Sequence, residues 1–172
     1  MNKGFTLIES LTVITILALM TSILILYNRT GERQIVLLRE KANLISTILK
    51  AKNLALGGFI QEPLQAVVCG YGVHLEENQY LIYRDLAVDC NASDKRYTPD
   101  NPQELFGDII EISPAVFLKV DEVQDILFAP PLPDVFFDGG AALLEKNIIL
   151  SDIDETTAVT ININNAGQIT TQ

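Results

Sequence analysis

Histidine, cysteine and basic charge are scarce in this sequence, and one long stretch has no charge at all. A single histidine, His74, and two cysteines, Cys69 and Cys90, are the whole inventory of those types in 172 residues. No nucleophile elbow, His-Glu helix motif or phosphate-binding glycine loop is present, so hydrolase, zinc-protease and nucleotide chemistries have no foothold. Basic residues are outnumbered: twelve Lys and Arg against twenty-two Asp and Glu leave a formal charge of −10. Residues 1–52 hold seven of the basic residues and three of the acidic ones; residues 53–172 hold five and nineteen. An acidic C-terminal part argues against direct nucleic-acid binding, which needs a basic face. Charge, proline and glycine are all missing from Ser10 to Asn28. As a helix that run covers about 28 Å, against a bilayer hydrocarbon core of about 30 Å.

One carboxylate, Glu9, stands at the start of the apolar run. A charge inside a membrane helix costs about 2.5–3.5 kcal/mol on insertion scales, so it needs a reason. A cleaved secretory signal would have a shorter apolar run and a small-residue cleavage site, and Tyr27-Asn28-Arg29 is a poor one. A plain signal anchor explains the length and leaves Glu9 unexplained. Met1-Asn2-Lys3-Gly4, then Phe5-Thr6-Leu7-Ile8-Glu9-Ser10 and an unbroken apolar helix, resembles the N-terminus of the type IV pilin and type II secretion pseudopilin superfamily. The likeness covers about residues 3–27. It implies cleavage after Gly4 by a prepilin peptidase and methylation of the new amino group on Phe5. It also implies assembly through Glu9, which would meet the Phe5 amine of a neighbouring subunit. Buried charges are tolerated as pairs, and removing one partner costs about 3–5 kcal/mol. Unlike many members of the superfamily, this chain has no helix breaker between Ala18 and Leu26. Thr15, Ala18 and Ser22 form a small-residue ridge, which is either a close-packing surface or simple tolerance of small residues.

Beyond Arg29 the helical period continues. Ile35, Leu38, Ala42, Ile45, Leu49 and Leu56 make an apolar stripe expected to pack under a sheet, and Gly57-Gly58 is a stop signal. A continuous helix from Phe5 to Leu56 would measure roughly 78 Å; a break at Gly31 would instead give two helices. The period then turns toward two. Strands are expected at Leu64–Cys69, Val73–Glu77, Tyr80–Asp85, Ile109–Ile112, Val116–Val120, Ile126–Phe128, Val135–Phe137, Asn147–Leu150, Ala158–Asn164 and Gln168–Thr170. Tyr71-Gly72 reads as a turn or bulge, Leu86–Gln103 as a long polar loop, and Ala129-Pro130-Pro131-Leu132-Pro133 as a rigid connector. The fold class is α+β: a long N-terminal helix, membrane-spanning then amphipathic, packed on an antiparallel β-sheet head. The expected division is a leader at 1–4, a membrane or filament-core helix at 5–28, an amphipathic continuation at 29–56 and a mainly-β head at 57–172.

Cys69 and Cys90 would close a loop of about 20 residues as a disulfide, worth roughly 3 kcal/mol, if the head lies outside the cytosol. Otherwise they are two buried thiols. Asp85, Asp89, Asn91 and Asp94 cluster on the polar loop as candidate calcium ligands, although the central Gly and terminal Glu of an EF-hand are missing and a solvated acidic loop explains them as well. Asp152-Ile153-Asp154-Glu155 reads as an acidic turn, and His74 as a strand residue exposed on one face. Asn91-Ala92-Ser93 fits a glycosylation sequon, a pattern that also arises by chance.

These readings describe a structural subunit rather than an enzyme, with no required cofactor. The resemblance implies a structural subunit, expected to be a minor one, of a type IV pilus-like filament, or alternatively a pseudopilin of a type II secretion system. A membrane-anchored extracytoplasmic binding or enzymatic domain is the rival of a different class. The implied partners are the prepilin peptidase, other pilin or pseudopilin subunits, and membrane lipid before assembly. The implied location is a single pass through the cytoplasmic membrane with the head outside, then an extracellular or periplasmic filament.

Overall fold

In the computed structural model, residues 6–57, 67–120, 123–130, 134–141 and 145–171 are described, with side chains at 25–30 and 141 excepted. Gly4, Phe5, Gly58, the expected strand start at 64–66 and residues 131–133 of the proline connector lie outside them.

One helix, α1, runs Leu7–Leu56. Gly31 does not interrupt it, and Gly57 closes it by donating its N–H to the Asn53 carbonyl at 2.8 Å. The chain divides into two compact units, Met1–Ile35 and Val36–Gln172. In the first unit the window Leu7–Leu24 has mean hydropathy 2.1 and none of it is buried, so it is long and apolar enough to cross a membrane.

Among the described residues the second unit holds ten strands: β1 Val67–Leu75, β2 Gln79–Ala87, β3 Ile110–Glu111, β4 Val116–Lys119, β5 Asp125–Ala129, β6 Asp134–Phe137, β7 Gly140–Ala141, β8 Lys146–Asp152, β9 Ala158–Ile163 and β10 Ile169–Thr171. They make a six-stranded sheet in the order β3-β2-β1-β5-β6-β7 and a four-stranded sheet in the order β10-β9-β8-β4. Every pairing is antiparallel, as expected for hairpin-connected strands. The α+β, pilin-like architecture is therefore present.

Alternation sorts the side chains of the larger sheet. On its inner face Tyr71, Val73, Tyr80, Ile82, Ile126 and Phe128 join Leu37, Leu44, Ile48, Ala51 and Ala55 of α1 in one buried cluster. The smaller sheet contributes Val116, Leu118, Ile148, Leu150, Ile161 and Ile163 to the same core. Of the helix stripe expected to pack there, Ile45 is half-buried and packs against that cluster. Leu38, Leu49 and Leu56 are 55, 42 and 48 % exposed and Ala42 is exposed. Both stripes have helical period; the buried one carries Ala51 and Ala55, whose small side chains suit close approach of helix to sheet.

Tyr71-Gly72 is not a turn. β1 runs through it, and the irregularity sits earlier, where the register with β2 shifts between Val68 and Gly70. Gly72 is small because of its neighbours: a Cβ there would lie 2.5 Å from the Ile126 carbonyl oxygen and 2.6 Å from the Tyr83 ring. The remaining strands fall within a residue or two of their expected ends, with β7 the addition.

Candidate functional site

The first candidate is the start of α1. Thr6 precedes the first helical residue and Glu9 is the third residue of the helix. Glu9 Oε2 accepts the Thr6 backbone N–H at 3.1 Å and the Thr6 hydroxyl at 2.9 Å. In return Thr6 Oγ1 accepts the Glu9 N–H at 3.3 Å. This is a reciprocal capping box, which satisfies donors that every helix N-terminus leaves orphaned. Thr-x-x-Glu is the spacing such a box requires, a pattern that sequence reasoning did not use. A carboxylate offers about four acceptor positions, so capping leaves capacity for a cation from another chain. Phe5, the expected source of that cation, is outside the described residues, as is Gly4.

Hydroxyls along the apolar stretch turn back onto the helix. Thr12 donates to the Glu9 carbonyl at 2.9 Å, Thr15 to Leu11 at 2.6 Å and Ser22 to Leu19 at 2.8 Å. Polar groups satisfied within their own segment are what a hydrocarbon environment requires. Leu7, Ile8, Leu11, Ile14, Ile23 and Leu24 are all at least 60 % exposed among the described residues.

The second candidate is the outer face of the larger sheet. Leu81, Tyr83 and Leu127 form a small cluster there with Tyr97, Leu105 and Phe136 against it. Residues 88–103, a strap following β2, cover it. Cys69 and Cys90 are disulfide-bonded across a separation of 21 residues, tying the strap's start to β1. Ser93 donates its hydroxyl to Asp85, which is 1 % exposed. The Tyr97 N–H donates to Asp125 at 3.3 Å, and Arg96 Nε donates to the Asp138 carbonyl at 2.7 Å. Glu104, also buried, accepts the Thr98 N–H at 2.8 Å and the Asn101 amide at 3.1 Å. Burial pushes the Asp85 carboxyl up, with the Ser93 hydrogen bond and Lys95 opposing and Asp94 adding. Burial likewise raises Glu104, against the Thr98 and Asn101 bonds and with Asp85 and Asp94 adding.

His74 is not an exposed strand residue. Its Nδ1 lies 2.8 Å from Asp125 Oδ1, its Nε2 3.6 Å from Glu76, and its ring 5.0 Å from that of Tyr97. Its side chain is 14 % exposed. The partner is 51 residues away, beyond the reach of local pattern.

The oxygen set Asp85, Asp89, Asn91 and Asp94 is occupied internally. Asp85 holds Ser93, Asp89 Oδ1 accepts the Asn91 backbone N–H at 3.0 Å and its side-chain amide at 3.1 Å, and Asp94 accepts the Arg96 N–H at 3.2 Å. Among the described residues no three His, Cys, Asp or Glu side chains are grouped to hold a metal ion. In the acidic turn after β8, Asp152 is buried and folds the hairpin, accepting the Thr156 hydroxyl at 2.5 Å and the Thr157 N–H at 3.0 Å.

Residues 1–25 match the family described as the prokaryotic N-terminal methylation motif. No curated protein and no solved structure matches the chain. With its apolar N-terminal helix and its disulfide-bonded antiparallel head, this chain carries the N-terminal signature of type IV pilins and pseudopilins.

Proposed function

We propose that this chain is a structural subunit, present in minor proportion, of a type IV pilus-like filament. Prepilin peptidase cuts after Gly4, the Phe5 amine is methylated, and α1 enters the filament with the acidic head displayed outside the cytoplasmic membrane. The observation that carries this reading is the unburied apolar stretch Leu7–Leu24, headed by a capped carboxylate and lying within the matched motif. So much exposed apolar surface belongs to lipid or to other helices. Self-capping lowers the cost of holding Glu9 in lipid before assembly, and an incoming Phe5 amine supplies the counter-charge afterwards. The second apolar stripe, Leu38, Ala42, Ile45 and Leu49, extends the available packing surface along the helix within the head unit. The Cys69–Cys90 disulfide supports an extracytoplasmic head, where such bonds persist.

The test is made on the chain in its own host. Mass spectrometry should find a mature N-terminus at methylated Phe5, and an intact Met1 refutes processing. Glu9→Ala should leave membrane insertion intact and cut incorporation into sheared filaments at least tenfold; normal incorporation refutes the assembly role. A deletion that abolishes protein secretion and leaves surface filaments intact reassigns the chain as a secretion pseudopilin.

A further inference from the structure

The strap over the outer sheet face is attached in two different ways along its length. Past residue 103 it pairs with β2 through the backbone. Arg84 N–H donates to the Glu104 carbonyl at 2.8 Å, Phe106 N–H to the Ile82 carbonyl at 2.9 Å, and Tyr83 bridges to Leu105. Over residues 88–103 the described backbone-to-backbone bonds stay within the strap or its own end, from Ala92 to Asp89, Asn101 to Thr98 and Glu104 to Asn101. There the ties to the sheet each involve a side chain: Ser93 to Asp85, Tyr97 to Asp125, Arg96 to Asp138, Arg84 to the Gln103 carbonyl at 2.6 Å, Lys95 over the Phe136 ring, and a long 3.4 Å bond from Tyr83 to the Lys95 carbonyl. The strap's one covalent crosslink, beyond the chain's own entry from Ala87 of β2, is Cys69–Cys90. Cys69 is 7 % exposed, whereas Cys90 is only half-buried and is the more accessible residue of the pair.

We infer that the Cys69–Cys90 disulfide is a redox-operated latch. Reducing it frees residues 88–103, which stay joined to β2 at Ala87 and paired at 104–106, to lift off the sheet as a loop, uncovering Leu81, Tyr83 and Leu127, while the principal core stays folded. The chemistry balances with an external dithiol. Its thiolate attacks the Cys90 sulfur, the Cys69 sulfur leaves, and the dithiol's second sulfur then releases Cys90 and closes its own disulfide. Two electrons and two protons pass to the head, which ends with two thiols. Without the crosslink the strap is held by side-chain contacts alone, whereas the ladder at 104–106 and the cluster beneath α1 lose nothing. Local opening of this kind is what a segment with few backbone ties to its neighbours shows.

Hydrogen exchange read by mass spectrometry tests this on the full chain in detergent micelles, with and without dithiothreitol. The expected result is at least tenfold faster exchange at amides within 88–103, with β1, β2, β8 and β9 unchanged within twofold. Trypsin supplies an independent reading, since Lys95 and Arg96 lie in the strap and should be cut only in the reduced chain. Cys90→Ser should reproduce both effects without reductant; should it not fold, the wild-type chain with dithiothreitol still decides. An unchanged strap overturns the inference. So does acceleration of the whole head in step, which would make the disulfide a global staple.

Discussion

The two faces of the larger sheet are built from the same strands and closed in opposite ways. The inner face meets α1 and the smaller sheet, and Val73, Ile126 and Phe128 are each 0 % exposed there. Its closure is apolar and comes from several elements at once, so no single bond decides it. The outer face is closed by one strap. Its few apolar side chains, Leu81, Tyr83 and Leu127, lie beside Asp85, Asp125 and His74. Here stability depends on particular hydrogen bonds and one disulfide, because too little apolar area is present to hold the strap by burial alone. The inner face should therefore fail cooperatively and the outer face locally.

The sharpest way to break that contrast is at Leu44, which is 0 % exposed between helix and sheets. Leu44→Ala should cost about 2–5 kcal/mol and lower the thermal midpoint of the head on the order of 10 °C, as one transition. Circular dichroism melting checks it. A two-step melt would show that the inner face is not a single cooperative unit.

Gly72 probes the outer face from beneath. Any side chain there drives into the Ile126 carbonyl and the Tyr83 ring, so Gly72→Ala should cost about 1–3 kcal/mol by overpacking. Displacing Tyr83 should also change the near-ultraviolet tyrosine signal while far-ultraviolet circular dichroism is kept. A silent substitution would mean that Tyr83 does not lie against β1.

What could be read from the sequence follows the same divide. The N-terminal motif is contiguous, so its residues could be recognised without any fold. Most strands could be placed because one face of each is apolar: Val116–Val120 was expected and Val116–Lys119 is found, Ala158–Asn164 against Ala158–Ile163. β7 has two residues, too few to show a period. Of the expected helix stripe within the head, Ile45 meets the core and Leu38, Leu49 and Leu56 do not, because both stripes obey the same period and periodicity says nothing of which one meets a sheet. Gly72 mimicked a turn although its size answers to Tyr83 on the neighbouring strand. On the outer face each important contact joins residues that no local pattern links: His74 with Asp125, Arg96 with Asp138, Asp85 with Ser93. Polar closure is written in pairs across the fold, apolar closure in runs along it.

The smallest expected effect concerns protons at the outer face. Asp85 and Glu104 both have native values raised above the unfolded ones of about 3.9 and 4.3, chiefly by burial. A raised carboxyl binds its proton more tightly in the folded head than in the unfolded chain. Between the unfolded and native values, folding therefore takes up protons, and stability falls as pH rises through that window. These two groups stabilise the head fully only below about pH 4 and oppose it once both are ionised. Asp85→Asn keeps a hydrogen-bond acceptor for Ser93 and removes one of the two ionisations. Urea midpoints at pH 4.5, 6.0 and 7.5 should then fall less steeply with pH in the variant than in the wild type. The variant should match or exceed the wild type at pH 7.5 and lose that advantage at pH 4.5. A wild-type profile that gains on the variant as pH rises would mean that Asp85 stabilises the head as an ion, and that the outer face is closed by charge rather than in spite of it.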